Sequence, residues 1–174
     1  MEIQGKTARL YMKKDVLMSR VSEMSEMLKS EYKDKDPVFL IILNGAFMFA
    51  SDLLKGLDFD CEISFTKVAS YENTESTGEI KSLIGVNEQL AGRDVVIVED
   101  IVDTGNTMKW LLDELNRINV KSIATCVLLM KPEVFNNQFE IDFLGFEIPN
   151  DFVVGYGMDF NGYGRNLQDI YQLD

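Results

Sequence analysis

The chain has 174 residues, 46% hydrophobic and 26% charged, with 29 acidic against 17 basic side chains and a net charge of -12. That size and balance suit one globular domain spanning 1–174 with a real core, and they exclude wholesale disorder. The acidic excess argues against broad binding to a nucleic-acid backbone, which needs clustered Lys and Arg. Histidine is absent, so imidazole catalysis and His-ligated metals are excluded. Hard, oxygen-ligated cations remain, magnesium first among them. The two cysteines, Cys61 and Cys126, lie in apolar runs without metal-ligand spacing and read as reduced residues of a cytoplasmic protein. No apolar h-region opens the chain, and no apolar run reaches the ~18 residues needed to span a bilayer, so neither a secretory signal nor a membrane span is expected.

In chain order, residues 1–12 alternate loosely and predict a short strand or arm. Between Lys13 and Tyr32 the apolar positions Val16, Leu17, Val21, Met24, Met27 and Leu28 recur at three- and four-residue steps, which predicts an amphipathic helix. The Lys-Asp-Lys-Asp-Pro run at 33–37 ends it, because proline disfavours helix in the residue before it. Val38–Leu43 reads as a buried strand, and Ala46–Leu54 as a helix after the Asn44-Gly45 turn. Glu62–Val68 is strand-like, and residues 70–79 have almost nothing to bury, which predicts a mobile loop. A return strand over Ile80–Val86 follows, then a buried strand at Val95–Val98, a helix over Thr107–Asn116 and a third buried strand at Ile123–Leu129. Short strands are expected near Phe143–Leu144 and Phe152–Val154. Buried strands alternating with amphipathic helices imply an α/β fold with a mainly parallel central sheet flanked by helices.

The chemistry concentrates in Val95-Val-Ile-Val-Glu99-Asp100-Ile-Val-Asp103-Thr104-Gly105-Asn106-Thr107. Two adjacent carboxylates follow four β-branched residues, at the carboxyl edge where open parallel sheets bind ligands. Thr104 and Thr107 offer hydroxyls, Gly105 allows close backbone approach, and the amides at the helix start form a nest suited to phosphate. The loop lacks the Gly-Lys-Ser/Thr ending of a Walker A motif and the G-x-G-x-x-G of a dinucleotide fingerprint. A carboxylate pair suits vicinal ribose hydroxyls, directly or through magnesium, so together these features describe a site for ribose 5-phosphate. Asp103 also fits a helix N-cap.

These residues resemble the signature of the type I phosphoribosyltransferases, a hydrophobic strand, two acids, then Asp-Thr/Ser-Gly-x-Thr. The hypoxanthine-guanine branch is matched more closely, through Leu43-Asn44-Gly45-Ala46, Ser70-Tyr71 with Ser76-Thr77-Gly78-Glu79, and Gly145-Phe146-Glu147-Ile148-Pro149 through Phe152-Val153-Val154-Gly155-Tyr156-Gly157. Asp159 and Arg165 follow at the family's spacing, and the resemblance covers about residues 5 to 170. It implies a small hood built from the terminal segments, transfer of the phosphoribosyl group from phosphoribosyl pyrophosphate to a free purine base in purine salvage, a magnesium cofactor, and a homodimer or homotetramer. By the same resemblance Glu99 and Asp100 contact ribose and, with Asp159, the metal. Asp103 is the general base facing purine N7, and Thr104, Gly105, Asn106 and Thr107 cradle the 5-phosphate. Asn44, Gly45, Ser70, Tyr71 and Arg165 face pyrophosphate, while Phe152 and Val153 meet the base. Phe152 equally fits a core position, and Arg165 equally fits a simple ion pair with Asp159 or Asp169. Two positions depart from the family: Asn44 stands where lysine is frequent, and Glu140 where a lysine reads the purine 6-oxo group. Lys131 lies nine residues before Glu140, and the choice among hypoxanthine, guanine and xanthine stays open. A nucleotide-sensing regulator without catalysis is the competing reading, and the acidic balance counts against it.

Overall fold

The computed structural model describes residues 1–70, 80–84, 86, 88–135 and 138–174. At its centre lies β3 (Val38–Leu43), a run of six apolar residues that bonds β4 (Glu62–Ser70) on one side and β6 (Asp94–Val102) on the other, both in parallel. The parallel array continues through β7 (Ser122–Met130) to β8 (Phe143–Glu147). At the opposite edge β5 (Ile80–Ile84) runs antiparallel to β4, giving the order β5-β4-β3-β6-β7-β8. Interior strands are apolar on both faces because helices cover both faces.

The two-residue period of the strands sorts their side chains between two cores. Phe39, Ile41, Val96 and Val98 face α1 (Lys14–Tyr32) and α2 (Phe47–Lys55), while Val38, Leu40, Val95 and Ile97 face α3 (Asn106–Arg117). On α1 the buried stripe is narrower than its apolar pattern. Leu17, Val21, Met24 and Leu28 are buried at i, i+4, i+7 and i+11, whereas Val16 and Met27 on the flank are exposed. Each of those four buried side chains stabilises the fold by roughly 1.5–3 kcal/mol through area removed from water. No helix among the described residues is long and apolar enough to cross a membrane.

A second, antiparallel sheet forms the hood and joins the chain ends in the order β1-β2-β10-β9. It comprises β1 (Glu2–Ile3), β2 (Lys6–Met12), β9 (Val153–Val154) and β10 (Ile170–Leu173), around a small core of Ile3, Ala8, Val154 and Leu173. The expected N-terminal strand is thus a hairpin, and the C-terminal strand was not anticipated.

Asp94, buried at the start of β6, accepts from Lys121 Nζ at 2.6 Å and Ser122 Oγ at 2.5 Å. Those hydrogen bonds hold its carboxyl below the ordinary value of 3.8. The folded protein therefore binds this proton less readily than the unfolded chain, so the contribution is complete above that ordinary value and is lost as pH falls from there through the lower folded one. Asp94→Asn is expected to lower Tm by several degrees near about pH 7, with the two Tm values converging as the pH falls below the ordinary carboxylate range. Thermal melts across that range check it, and a pH-independent gap would contradict the assignment.

Candidate active site

The site forms where β6 outruns β3. Pairing between these strands ends at Ile41 with Val98, yet β6 continues along β7 with Glu99 opposite Val127 and Val102 opposite Met130. Glu99 and Asp100 therefore lie inside the strand, ahead of Ile101 and of Val102 at the carboxyl end of β6, rather than after that end as the sequence suggested. One-sided pairing is the physical reason: the strand persists, but the side once covered by β3 opens onto a cleft.

Asp100 is buried and Glu99 largely so, and Glu99 Oε2 has no hydrogen-bond partner among the described residues. Burial, reinforced by the neighbouring Asp100 charge, pushes the Glu99 carboxyl well above its ordinary value. Burial raises Asp100 as well, offset in part by hydrogen bonding from Glu99, by backbone amides and by the Arg165 charge. Two desolvated acids in contact call for a cation or for hydroxyl donors.

Immediately beyond, Gly105 takes φ +85° and serves as the N-cap of α3, with no side-chain cap hydrogen bond. Asp103 is thus not the cap. A Cβ at Gly105 would also come within 2.9 Å of the Phe135 ring, so both the turn and the packing require glycine here. The first turn of α3 carries no acid, and its leading amides have no partner within the helix, leaving the positive end of the dipole open. A hollow of about 110 Å³ lies there, bounded by Glu99 and residues 101–108. It is sized for a phosphate group rather than a nucleoside. Thr104 and Asn106 are exposed and Thr107 half-buried along it.

Alongside opens a cleft of about 530 Å³, within the range of small-molecule sites. It brings together Asp100, Asp103 and Thr107 from the β6–α3 segment, Gly45 from the first turn, and Phe152, Val153, Asp159 and Arg165 from the hood side. Phe152 is 51% exposed and meets Phe160 edge-on at 5.7 Å, so it is not a core residue. Arg165 pairs with Asp159 and donates from Nη1 to the Gly157 carbonyl at 2.8 Å. Asn44 is exposed and does not line the cleft, and its carbonyl accepts from the Phe47 amide. The backbone of Ser70 lies in β4, whereas Tyr71 and the closing-loop residues 76–79 lie outside the described residues.

The cleft also contains a residue that sequence reasoning set aside. Lys131 is buried, and its Nζ sits 3.2 Å from Asp103 Oδ2 in the same cleft as Phe152 and Val153. Glu140, by contrast, is exposed and does not line it. Glu140 precedes the amino end of β8 (Phe143–Glu147), away from the carboxyl edge of the sheet. Lys131 directly follows β7, and the rule that ligands gather at the carboxyl ends of parallel strands points to it.

Among the described residues no three acids lie close enough together to form a metal site by themselves. The orphaned Glu99 oxygen beside Asp100 nevertheless fits a hard divalent ion that takes its remaining ligands from substrate oxygens, as magnesium does. Asp159 stands across the cleft with Arg165.

Residues 14–161 match the phosphoribosyl transferase domain family, and the chain belongs to it. It is 38% identical over 175 residues to the hypoxanthine-guanine phosphoribosyltransferase of Aquifex aeolicus, covering 99% of this chain and 98% of that protein. The Mycobacterium tuberculosis enzyme of the same name is 36% identical over 185 residues, covering 98% and 92%. Among solved structures, a hypoxanthine-guanine phosphoribosyltransferase from Bacillus anthracis superposes with a TM-score of 0.89 at 33% identity, covering 95% of this chain and 98% of that one.

Proposed function

We propose that the chain transfers the 5-phosphoribosyl group of phosphoribosyl pyrophosphate to a 6-oxopurine, releasing pyrophosphate and the nucleoside monophosphate, in purine salvage. The observation that carries this reading is the buried acid pair beside an open helix N-terminus, facing a cleft with an exposed aromatic and a buried lysine. In it, the amides and hydroxyls of 104–107 hold the 5-phosphate and Glu99 and Asp100 meet the ribose hydroxyls. Magnesium, held by those acids and Asp159 together with substrate oxygens, would supply positive charge against the departing pyrophosphate. Purine N9 bonds to C1 of the ribose as the bond from C1 to the pyrophosphate oxygen breaks, and the electron pair leaves with pyrophosphate. Asp103 accepts the proton from purine N7. Arg165 and the backbone at Gly45, with Asn44 beside it assigned by resemblance alone, offset charge on the leaving group. Ser70 and Tyr71 are assigned to the same end by resemblance alone. Phe152 stacks on the base and the Val153 backbone reads its edge. The Lys131 ammonium donates to the 6-oxo oxygen, a role the exposed Glu140 does not fill.

The residues 1–174 act as one domain in this reading, and the two free cysteines fit a cytoplasmic location. Ile63 and Phe65, each 47% exposed on one face of β4, support self-association into a homodimer or homotetramer, which light scattering tests. A non-catalytic regulator is not favoured, since Asp100, Asp103 and Asp159 line one cleft, Glu99 lines the hollow beside it, and the chain carries a net charge of -12.

A spectrophotometric screen of free bases with phosphoribosyl pyrophosphate and magnesium tests the proposal. Nucleotide formation is expected with hypoxanthine or guanine and not with adenine, whose amino group offers Lys131 no acceptor. Absence of product with hypoxanthine, guanine and xanthine would refute it.

A further inference from the structure

Tyr156 lies at the seam between α2 and the loop that carries Arg165. Its side chain is 2% exposed and belongs to the core cluster that includes Ala46, Phe49 and Met158. Its hydroxyl donates to Asp52 Oδ2 on α2 at 2.9 Å, and burial, followed by Asp52, raises the phenol so far that it stays a donor at working pH. The backbone of Tyr156 sits at φ +49°, a left-handed conformation that costs a residue with a side chain energy and persists only where its surroundings enforce it. Two contacts do so here: the Asp52 bond and a bond from the Tyr156 amide to the Leu167 carbonyl at 2.8 Å.

The next residue, Gly157, approaches the first turn closely. A Cβ on Gly157 would stand 2.0 Å from the Gly45 carbonyl oxygen, and one on Gly45 would stand 2.0 Å from Asp100 Oδ2. No side chain fits between these three segments. The Gly157 carbonyl in turn accepts from Arg165 Nη1 at 2.8 Å. A closed circuit results: α2 begins just after Gly45, carries Asp52 in its second turn, and through Tyr156 and Gly157 returns to Gly45 and to the guanidinium. Phe152 and Val153 are anchored differently, by the pairing of β9 with β10 at Val153 with Gln172 and Val154 with Tyr171.

We propose that the Tyr156–Asp52 hydrogen bond is a clamp that fixes Arg165 against the Asn44–Ala46 turn, making Tyr156 a positioning residue for the pyrophosphate end of the substrate and not for the purine. The inference rests on the assignment of that end of the cleft to pyrophosphate. Its prediction is a split between substrates. Tyr156→Phe and Asp52→Ala should each raise KM for phosphoribosyl pyrophosphate ~5- to 15-fold, the loss of one hydrogen bond. Purine KM and kcat should stay within ~2-fold. Asp52→Asn keeps an acceptor oxygen and should behave as wild type, and the Tyr156→Phe/Asp52→Ala double variant should be no worse than either single one.

Steady-state kinetics of the full chain with both substrates varied decides the matter. Asp52→Ala also removes the exposed ion pair to Lys55, which contributes little, and it gives the answer alone if Tyr156→Phe does not fold. Wild-type KM for phosphoribosyl pyrophosphate in the folded variants overturns the clamp, as does an equal loss on both substrates or an Asp52→Asn variant as impaired as Asp52→Ala. A wild-type chain that transfers nothing overturns the assignment of the cleft, and the clamp with it.

Discussion

Replacing Asp103 by asparagine is expected to lower kcat about 10²- to 10⁴-fold while leaving affinity for phosphoribosyl pyrophosphate within about twofold. Asparagine keeps the shape of the side chain and an oxygen for the Lys131 ammonium, now 3.2 Å away, but it cannot take a proton. Asp103 is 54% exposed, so water can relieve part of the loss, and the lower end of that range is the expected one. In the proposed reading the 5-phosphate and ribose contacts come from Glu99, Asp100 and 104–107, which the substitution does not touch. Single-turnover kinetics with saturating substrates, paired with a binding isotherm, separate the two effects. Unchanged turnover would remove Asp103 from the role of base.

Lys131→Met should produce the second-largest effect, a fall of about 10- to 150-fold in kcat/KM for hypoxanthine and guanine, carried mainly by KM of the base. Methionine fills similar space without a donor, so the 6-oxo oxygen would be buried unpaired. Discrimination against adenine should weaken at the same time, because it depends on that donor. A purine panel measured on wild type and variant checks both halves. Undiminished use of 6-oxopurines would show that Lys131 serves only as a partner for Asp103.

Much of the sheet was legible because parallel strands covered on both faces must be apolar throughout. Val38–Leu43 and Val95–Val98 announce themselves, and α3 after the second carries a clear 3.6-residue period. The hood was less so. Ile170–Leu173 is four residues long and finds its partner in Lys6–Met12 at the other end of the chain, a pairing no local pattern encodes. The extent of β6 was underestimated because polarity alone suggested a break at Glu99, whereas backbone pairing with β7 carries the strand to Val102. Within the site the grouping of the acids with the 104–107 turn was readable from their order. Lys131 was not, since its role depends on which strand ends lie side by side. The N-cap of α3 falls to Gly105 rather than Asp103 for a related reason: packing against Phe135 leaves no room for a side chain at that point.

The central claim is that one cleft holds a phosphate on backbone amides and a sugar on buried acids. The crystal structure of the chain with inosine 5′-monophosphate measures this directly. The phosphate is expected on the amides of 104–107, the ribose hydroxyls against Glu99 and Asp100, and the base between Phe152 and the Lys131 ammonium. A nucleotide bound with its phosphate elsewhere, or with its hydroxyls out of reach of both acids, would contradict the account.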